Sequence, residues 1–116
     1  MSKIIIFYED QLTTVQTGMD AIPERISIKS VYPNPSNSSI SFLVENRLPN
    51  EQTEIFITDL LGRNIYHIVL SPSNNSQFTW IWDGSNKLGY PVSSGVYIVS
   101  FSSGNSVDFH KVTLIK

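Results

Sequence analysis

The chain has 116 residues and a formal charge of −2, with 41% hydrophobic, 11% aromatic and 16% charged residues. A chain of that length buries roughly two-thirds of its unfolded surface, enough for one core and no more. Neutral polarity (17 Ser, 9 Asn and 7 Thr) replaces charge, which excludes a self-repelling disordered chain, and eight scattered cations exclude phosphate-backbone binding.

Met1 to Glu9 contains the apolar run Ile4 to Tyr8, too short for a signal peptide and closed by Glu9 and Asp10. Read alone, this start indicates a cytoplasmic protein or a fragment. Asp10 to Pro23, with Thr13, Thr14, Thr17 and Gly18, reads as a linker. A regular series of strands then begins. Ile26 to Tyr32 is stopped by Pro33-Asn34-Pro35, because proline cannot donate to a ladder and holds the preceding residue extended. Ser39 to Glu45 alternates Ile40, Phe42 and Val44 with Ser41 and Leu43. Leu48-Pro49-Asn50 is a turn. Thr53 to Asp59 and Asn64 to Leu70 flank the reversal Leu60-Leu61-Gly62-Arg63, where Gly62 suits a positive φ. After the loop Ser71 to Asn75, Gln77 to Trp82 places Phe78, Trp80 and Trp82 on one face. Asp83 to Gly89 is a long turn, and Pro91 to Gly95 leads into Val96 to Phe101. Val96 to Val99 is apolar on both parities, which predicts a central strand covered on both faces. Ser103-Gly104-Asn105 is a hairpin turn before the last strand, Ser106 to Ile115. The spacing predicts an all-β fold: seven strands in an antiparallel sandwich with Greek-key connections.

The motifs have structural readings first. Tyr32-Pro33-Asn34-Pro35 forms a rigid corner, with Tyr32 expected to pack beneath it. Trp82 is expected to bury its ring, Asp83 to accept N–H groups of the following turn, and Gly84 to permit that turn. Gly95 permits a bulge or a close approach, and Tyr97 is a half-buried core tyrosine with a backbone partner for its hydroxyl.

Catalytic and metal chemistry find little support. The absence of cysteine excludes disulfides, thiolate metal sites and thiol nucleophiles. No apolar run approaches 18 residues, so no membrane span is expected. His67 and His110 lack a second ligand at metal spacing, no Ser sits in a nucleophile elbow, and the carboxylates form no catalytic pair. Asp83, Ser85 and Asn86 are oxygen donors in one loop, but one carboxylate is too few for a persuasive Ca²⁺ site. No cofactor, metal site or enzyme activity is expected. Asn37-Ser38-Ser39 and Asn74-Asn75-Ser76 match the short glycosylation pattern.

The ordered motifs Tyr32-Pro33-Asn34-Pro35, Asp59-Leu60-Leu61-Gly62-Arg63, Trp82-Asp83-Gly84, Gly89, Ser94-Gly95-Val96-Tyr97, Lys111 and Leu114-Ile115-Lys116 carry a resemblance. The chain resembles the type A C-terminal sorting domain of the type IX secretion system of Bacteroidetes. Thr17 to Glu24 resembles the linker that often precedes that domain. A related immunoglobulin-like module in the flagellar hook-capping protein shares the Trp-Asp-Gly and Ser-Gly-Val-Tyr pattern. The terminal Lys and the Tyr-Pro-Asn-Pro opening favour the sorting domain. Many members continue with Phe-Asn-Pro where this chain has Ser36-Asn37-Ser38.

The resemblance implies a seven-stranded immunoglobulin-like sandwich over residues 24–116, with residues 1–23 as the end of an upstream region and a linker. It implies a non-catalytic signal that directs a larger cargo across the outer membrane, via the periplasm, to the cell surface or medium. It implies an outer-membrane shuttle, a translocon and a sortase-like protease as partners, and an upstream cargo domain. The cut is expected in the Asp10 to Pro23 region. Because export requires a leader that Met1 does not open, the chain is taken as a fragment, natural or cloned, and Ile4 to Tyr8 as the end of the cargo. Candidates for partner recognition are Pro33, Asn34, Pro35, Gly95, Lys111 and Lys116; Tyr32, Gly62, Trp82, Asp83, Gly84, Gly89 and Tyr97 are structural. The last strand, if it is an open edge, offers its backbone to a partner, and Lys111 and Lys116 then face an acidic surface. Otherwise those lysines only guard the edge. The alternative function is a glycan- or protein-binding adhesion module using Tyr66, Trp80 and Tyr90.

Overall fold

A computed structural model describes residues 25–47 and 51–116. The expected strand Ile4–Tyr8, the linker Asp10–Pro23 and the turn Leu48–Asn50 lie outside the described residues. Seven strands follow: β1 (Ile26–Tyr32), β2 (Ile40–Asn46), β3 (Thr53–Asp59), β4 (Asn64–Leu70), β5 (Gln77–Trp82), β6 (Gly95–Ser103) and β7 (Ser106–Leu114). A three-stranded sheet, β1-β2-β5, packs on a four-stranded sheet, β4-β3-β6-β7. Every strand pairing within the two sheets is antiparallel. The architecture is the antiparallel sandwich that the strand spacing predicts, in the immunoglobulin-like form that the resemblance implies.

The period of two fixes which side chains meet. Ile40, Phe42 and Val44 of β2 and Ile55 and Ile57 of β3 point inward and are fully buried. Phe101 of β6 joins the two sheets. Its ring lies 5.5 Å from Phe42, 6.5 Å from Phe78 and 6.1 Å, edge-on, from Trp80. Such tilted pairs add to the burial of large rings. Below them Asn46 spans the sheets, its Nδ2 donating to Ser103 Oγ at 3.1 Å and Thr53 Oγ1 at 3.4 Å. This buried polarity is satisfied rather than stranded.

Two local details differ from the expected pattern. β6 is interior to its sheet, but only one face is covered: Tyr97, Val99 and Phe101 are buried, whereas Val96 and Ile98 are half-buried on the outer face. In β1 the register slips between Ile28 and Ser30, leaving Lys29 as a bulge residue. The inward parity therefore changes from Ile26 and Ile28 to Val31, and Tyr32 turns outward to 75% exposure. Tyr32 does not pack beneath the proline corner; the bulge points it away.

The strands define two poles. The described chain enters at Arg25, where Ser106 Oγ accepts both Arg25 N and Ile26 N at 3.1 Å and Asp108 Oδ2 accepts Ile28 N at 2.8 Å. Arg25 also pairs with Glu51 at 3.7 Å. The opposite pole holds the end of β1, the β3–β4 turn, the loop from Trp82 to Gly95 and the end of β7. Strands of six to nine residues separate the poles by roughly 20–30 Å.

Candidate functional site

Motifs far apart in sequence converge on that second pole. The Tyr32–Pro33 and Asn34–Pro35 peptide bonds are both cis. The Asn34 amide lies against β7, with Nδ2 donating to Lys111 O at 3.3 Å and Oδ1 accepting Thr113 N at 3.0 Å. Ser36 continues the contact as a parallel bridge to Leu114. Its N–H donates to Thr113 O at 3.0 Å, and its carbonyl accepts Ile115 N at 2.8 Å. Backbone groups of β7 from Lys111 to Ile115 that face away from β6 are thus engaged by the corner. Strand addition by a partner along this half of β7 would have to displace it. Pro33, Pro35, Ser36, Asn37 and Ile115 line a shallow recess of about 510 Å³ beside the seal.

Trp82 anchors the loop that follows β5. Its indole is 1% exposed, packs edge-on against Tyr97 at 5.4 Å and donates Nε1–H to Ser85 O at 2.8 Å. Tyr97 in turn donates its hydroxyl to Ser93 O at 2.6 Å. Asp83 Oδ1 accepts Ser85 N at 3.1 Å and also the Ser85 hydroxyl. Gly84 has φ +79°, and a Cβ there would lie 3.2 Å from Ser38 O and 3.6 Å from Leu114 Cδ1. Glycine is required by both conformation and space. Gly95 is different: a Cβ would meet only the Tyr97 ring, at an ordinary 3.9 Å. The last residue is tied in through Lys116 N, which donates to Ser94 Oγ at 2.9 Å.

Two turns at this pole are built alike. In Asp59-Leu60-Leu61-Gly62-Arg63, Asp59 Oδ1 accepts Leu61 N and Arg63 N, both at 2.9 Å. Asp59 N bonds Arg63 O at 3.1 Å, and Gly62 N bonds Asp59 O at 3.0 Å. In Asn86-Lys87-Leu88-Gly89-Tyr90, Asn86 Oδ1 accepts Leu88 N and Tyr90 N, both at 3.0 Å. Asn86 N bonds Tyr90 O at 2.8 Å, and Gly89 N bonds Asn86 O at 2.9 Å. Gly62 and Gly89 have φ of +84° and +89°. The shared pattern is Asx-x-Leu-Gly, a side chain standing in for backbone within the turn. Lys87 N also donates to Ile65 O at 3.1 Å, which docks the second turn on the strand leaving the first.

Asp59 is the charged pivot of the first turn. Partial burial pushes its carboxyl up, but the Arg63 and Leu61 amides and the Arg63 guanidinium, at 2.6 Å, outweigh this and hold it below 3.8. A depressed folded pKa gives stability that is present above the unfolded value and lost as pH falls through the folded one. Asp59→Asn is therefore expected to lower the melting temperature at pH 7. Its deficit against the parent should shrink in melts taken progressively below pH 3.8.

The other candidates scatter. His67 stacks on Phe56 at 4.2 Å with Nε2 3.2 Å from Glu54 Oε2, and His110 sits exposed opposite Val99. Among the described residues no three His, Asp or Glu side chains gather as metal ligands. Tyr66 and Trp80, expected as exposed contacts, are half-buried and face each other at 5.9 Å. Tyr90 alone of that set is exposed, at 65%. Sequence reading missed Ser36 as the partner of β7, Ser94 as the anchor of the end, Asn86 as a turn former, and exposed Leu61 and Leu88. The repeated Asx-x-Leu-Gly spacing was the available signal for the last three.

Residues 30–116 match the family described as the secretion system C-terminal sorting domain. No curated protein matches the sequence. The fold is similar to part of dimeric latent PorU from Porphyromonas gingivalis, at 19% identity and a TM-score of 0.63, covering 82% of this chain and 10% of that one. It is also similar to part of PorZ, an essential bacterial surface component of the type IX secretion system of Porphyromonas gingivalis. That likeness has 22% identity and a TM-score of 0.53, covering 75% of this chain and 11% of that one. At these identities the likeness is one of fold. This chain spans about a tenth of the length of either neighbour.

Proposed function

The chain belongs to the secretion system C-terminal sorting domain family, and we propose that the secretion machinery reads it at the motif-bearing pole. Its function is that of a C-terminal sorting signal for type IX secretion, which sends the protein bearing it to the cell surface or the medium. The family role is non-catalytic, and we infer the same of this chain.

The observation that carries the proposal is convergence. The corner, both Asx turns, the Trp82 loop and the end of β7 all meet on one pole, although they are distributed over the length of the domain. There Pro33, Pro35, Lys111 and Lys116 are exposed. Asn34 serves by holding the corner on β7, and Gly95 by starting β6 beside it. In this reading the partners are the outer-membrane shuttle and translocon, with a sortase-like protease acting on the chain before residue 24. The half-buried Tyr66 and Trp80 give the adhesion alternative no ready surface.

Fusion of Ile22–Lys116 behind an exported reporter tests the reading in a type IX-competent cell. The reporter should reach the surface. Lys111→Glu with Lys116→Glu should hold it in the periplasm, whereas Arg47→Glu at the entry pole should not. Periplasmic retention of the unaltered fusion, with the module folded by circular dichroism, would sink the reading.

A further inference from the structure

Leu61 and Leu88 occupy the same position of two turns with the same hydrogen-bond pattern, and they are 79% and 74% exposed. Leu60 and Tyr90 beside them are 64% and 65% exposed. Each turn is closed by its own Asx side chain, so the leucines are held out by a satisfied, rigid backbone and lose little freedom on docking. Of the ten exposed large hydrophobics among the described residues, Tyr32, Leu60, Leu61, Leu88, Tyr90 and Ile115 lie in the turns and chain ends of this pole, a concentration of the kind that marks a contact surface.

The charges divide unevenly. At this pole Arg63, Lys87, Lys111 and Lys116 stand against the acidic side chains Asp59 and Asp83, whereas on the rest of the described molecule Arg25, Lys29 and Arg47 stand against Glu45, Glu51, Glu54 and Asp108. Arg63 already neutralises Asp59, and Asp83 is bonded to Ser85. Among the described residues Lys87, Lys111 and Lys116 have no acidic partner within ion-pair distance.

We infer that the twin turns form a two-leucine docking surface whose occupant is a folded protein presenting an apolar recess rimmed by Asp and Glu. This rests on the motif-pole reading and names the partner chemistry. A protein is favoured over an anionic lipid because the cations are dispersed across the pole, Lys87 in the second turn and Lys111 and Lys116 on the β7 side of the sheet. Lipid attraction at about 1 kcal/mol per cation would need a denser cluster.

The test is binding of the full chain to the detergent-solubilised outer-membrane shuttle of a type IX-competent bacterium. Leu61→Asp with Leu88→Asp should weaken it by about a hundredfold or more, because burial is lost and like charge is added. Leu61→Lys with Leu88→Lys should cost only about tenfold, since the new charge meets carboxylates. Raising NaCl from 50 to 500 mM should weaken the parent by about tenfold. The control Val107→Asp, on exposed β7 surface, should leave binding unchanged. Equal losses in the Asp and Lys variants, or salt-insensitive binding, would overturn the acidic recess while leaving the motif-pole reading intact. Parent-like affinity in all the leucine variants, with loss in Lys111→Glu/Lys116→Glu, would overturn the docking surface alone. No binding by the parent chain would sink both. Flotation with protein-free vesicles of anionic lipid or lipopolysaccharide would assign the surface to a membrane and overturn the protein occupant.

Discussion

Trp82→Ala should lower the unfolding free energy by about 3–5 kcal/mol, the range for removing a fully buried aromatic ring. Domains of this size are stable by about 5–15 kcal/mol in all, so a large share of the total stability is at stake. The indole fills the space under the Trp82–Gly95 loop, meets Tyr97 edge-on and ties down the Ser85 carbonyl. Its loss would leave a cavity and an unpaired carbonyl together. Chemical denaturation should report the deficit. Trp82→Phe should recover much of the packing but not the Ser85 bond, and should fall between the two. Export of a reporter fusion is expected to fail in Trp82→Ala and survive in Trp82→Phe.

Phe101→Ala is expected to cost a similar amount, about 3–5 kcal/mol, for a different structural reason. Phe101 is the ring on β6 that meets Phe42, Phe78 and Trp80 across the gap between sheets. Without it the three-stranded sheet loses its main aromatic partner on the other side. Phe101→Leu retains most of the buried volume and should cost about 1 kcal/mol. A loss in Phe101→Ala no larger than that in Phe101→Leu would show that the sheets close over the gap.

The strands were legible because their signal is local. Ile40-Phe42-Val44 and Phe78-Trp80-Trp82 declare an inward face by spacing alone. Glycine and proline clusters mark where each run must stop, and the residue after Leu61 had to be one that tolerates positive φ. The seal between Asn34 and Thr113 was not legible, because it joins residues 79 positions apart through a side chain whose geometry no pattern records. Lys29 is intermediate. Its bulge is visible as a break in parity between Ile28 and Val31, and overlooking it placed Tyr32 on the wrong side. Val96 to Val99 misled for a chemical reason: an outer sheet face accepts Val and Ile half-exposed, so apolar residues on both parities do not require cover on both sides.

The succession of seven traverses has a steric consequence. An odd number of passes delivers the chain to the side away from where it came in, so Arg25 and Lys116 sit at opposite ends of the strands. On the proposed reading of the motif pole, a passenger tethered ahead of Arg25 joins the domain at the end away from the address it travels under. One receptor can then serve many freights without being remodelled for each.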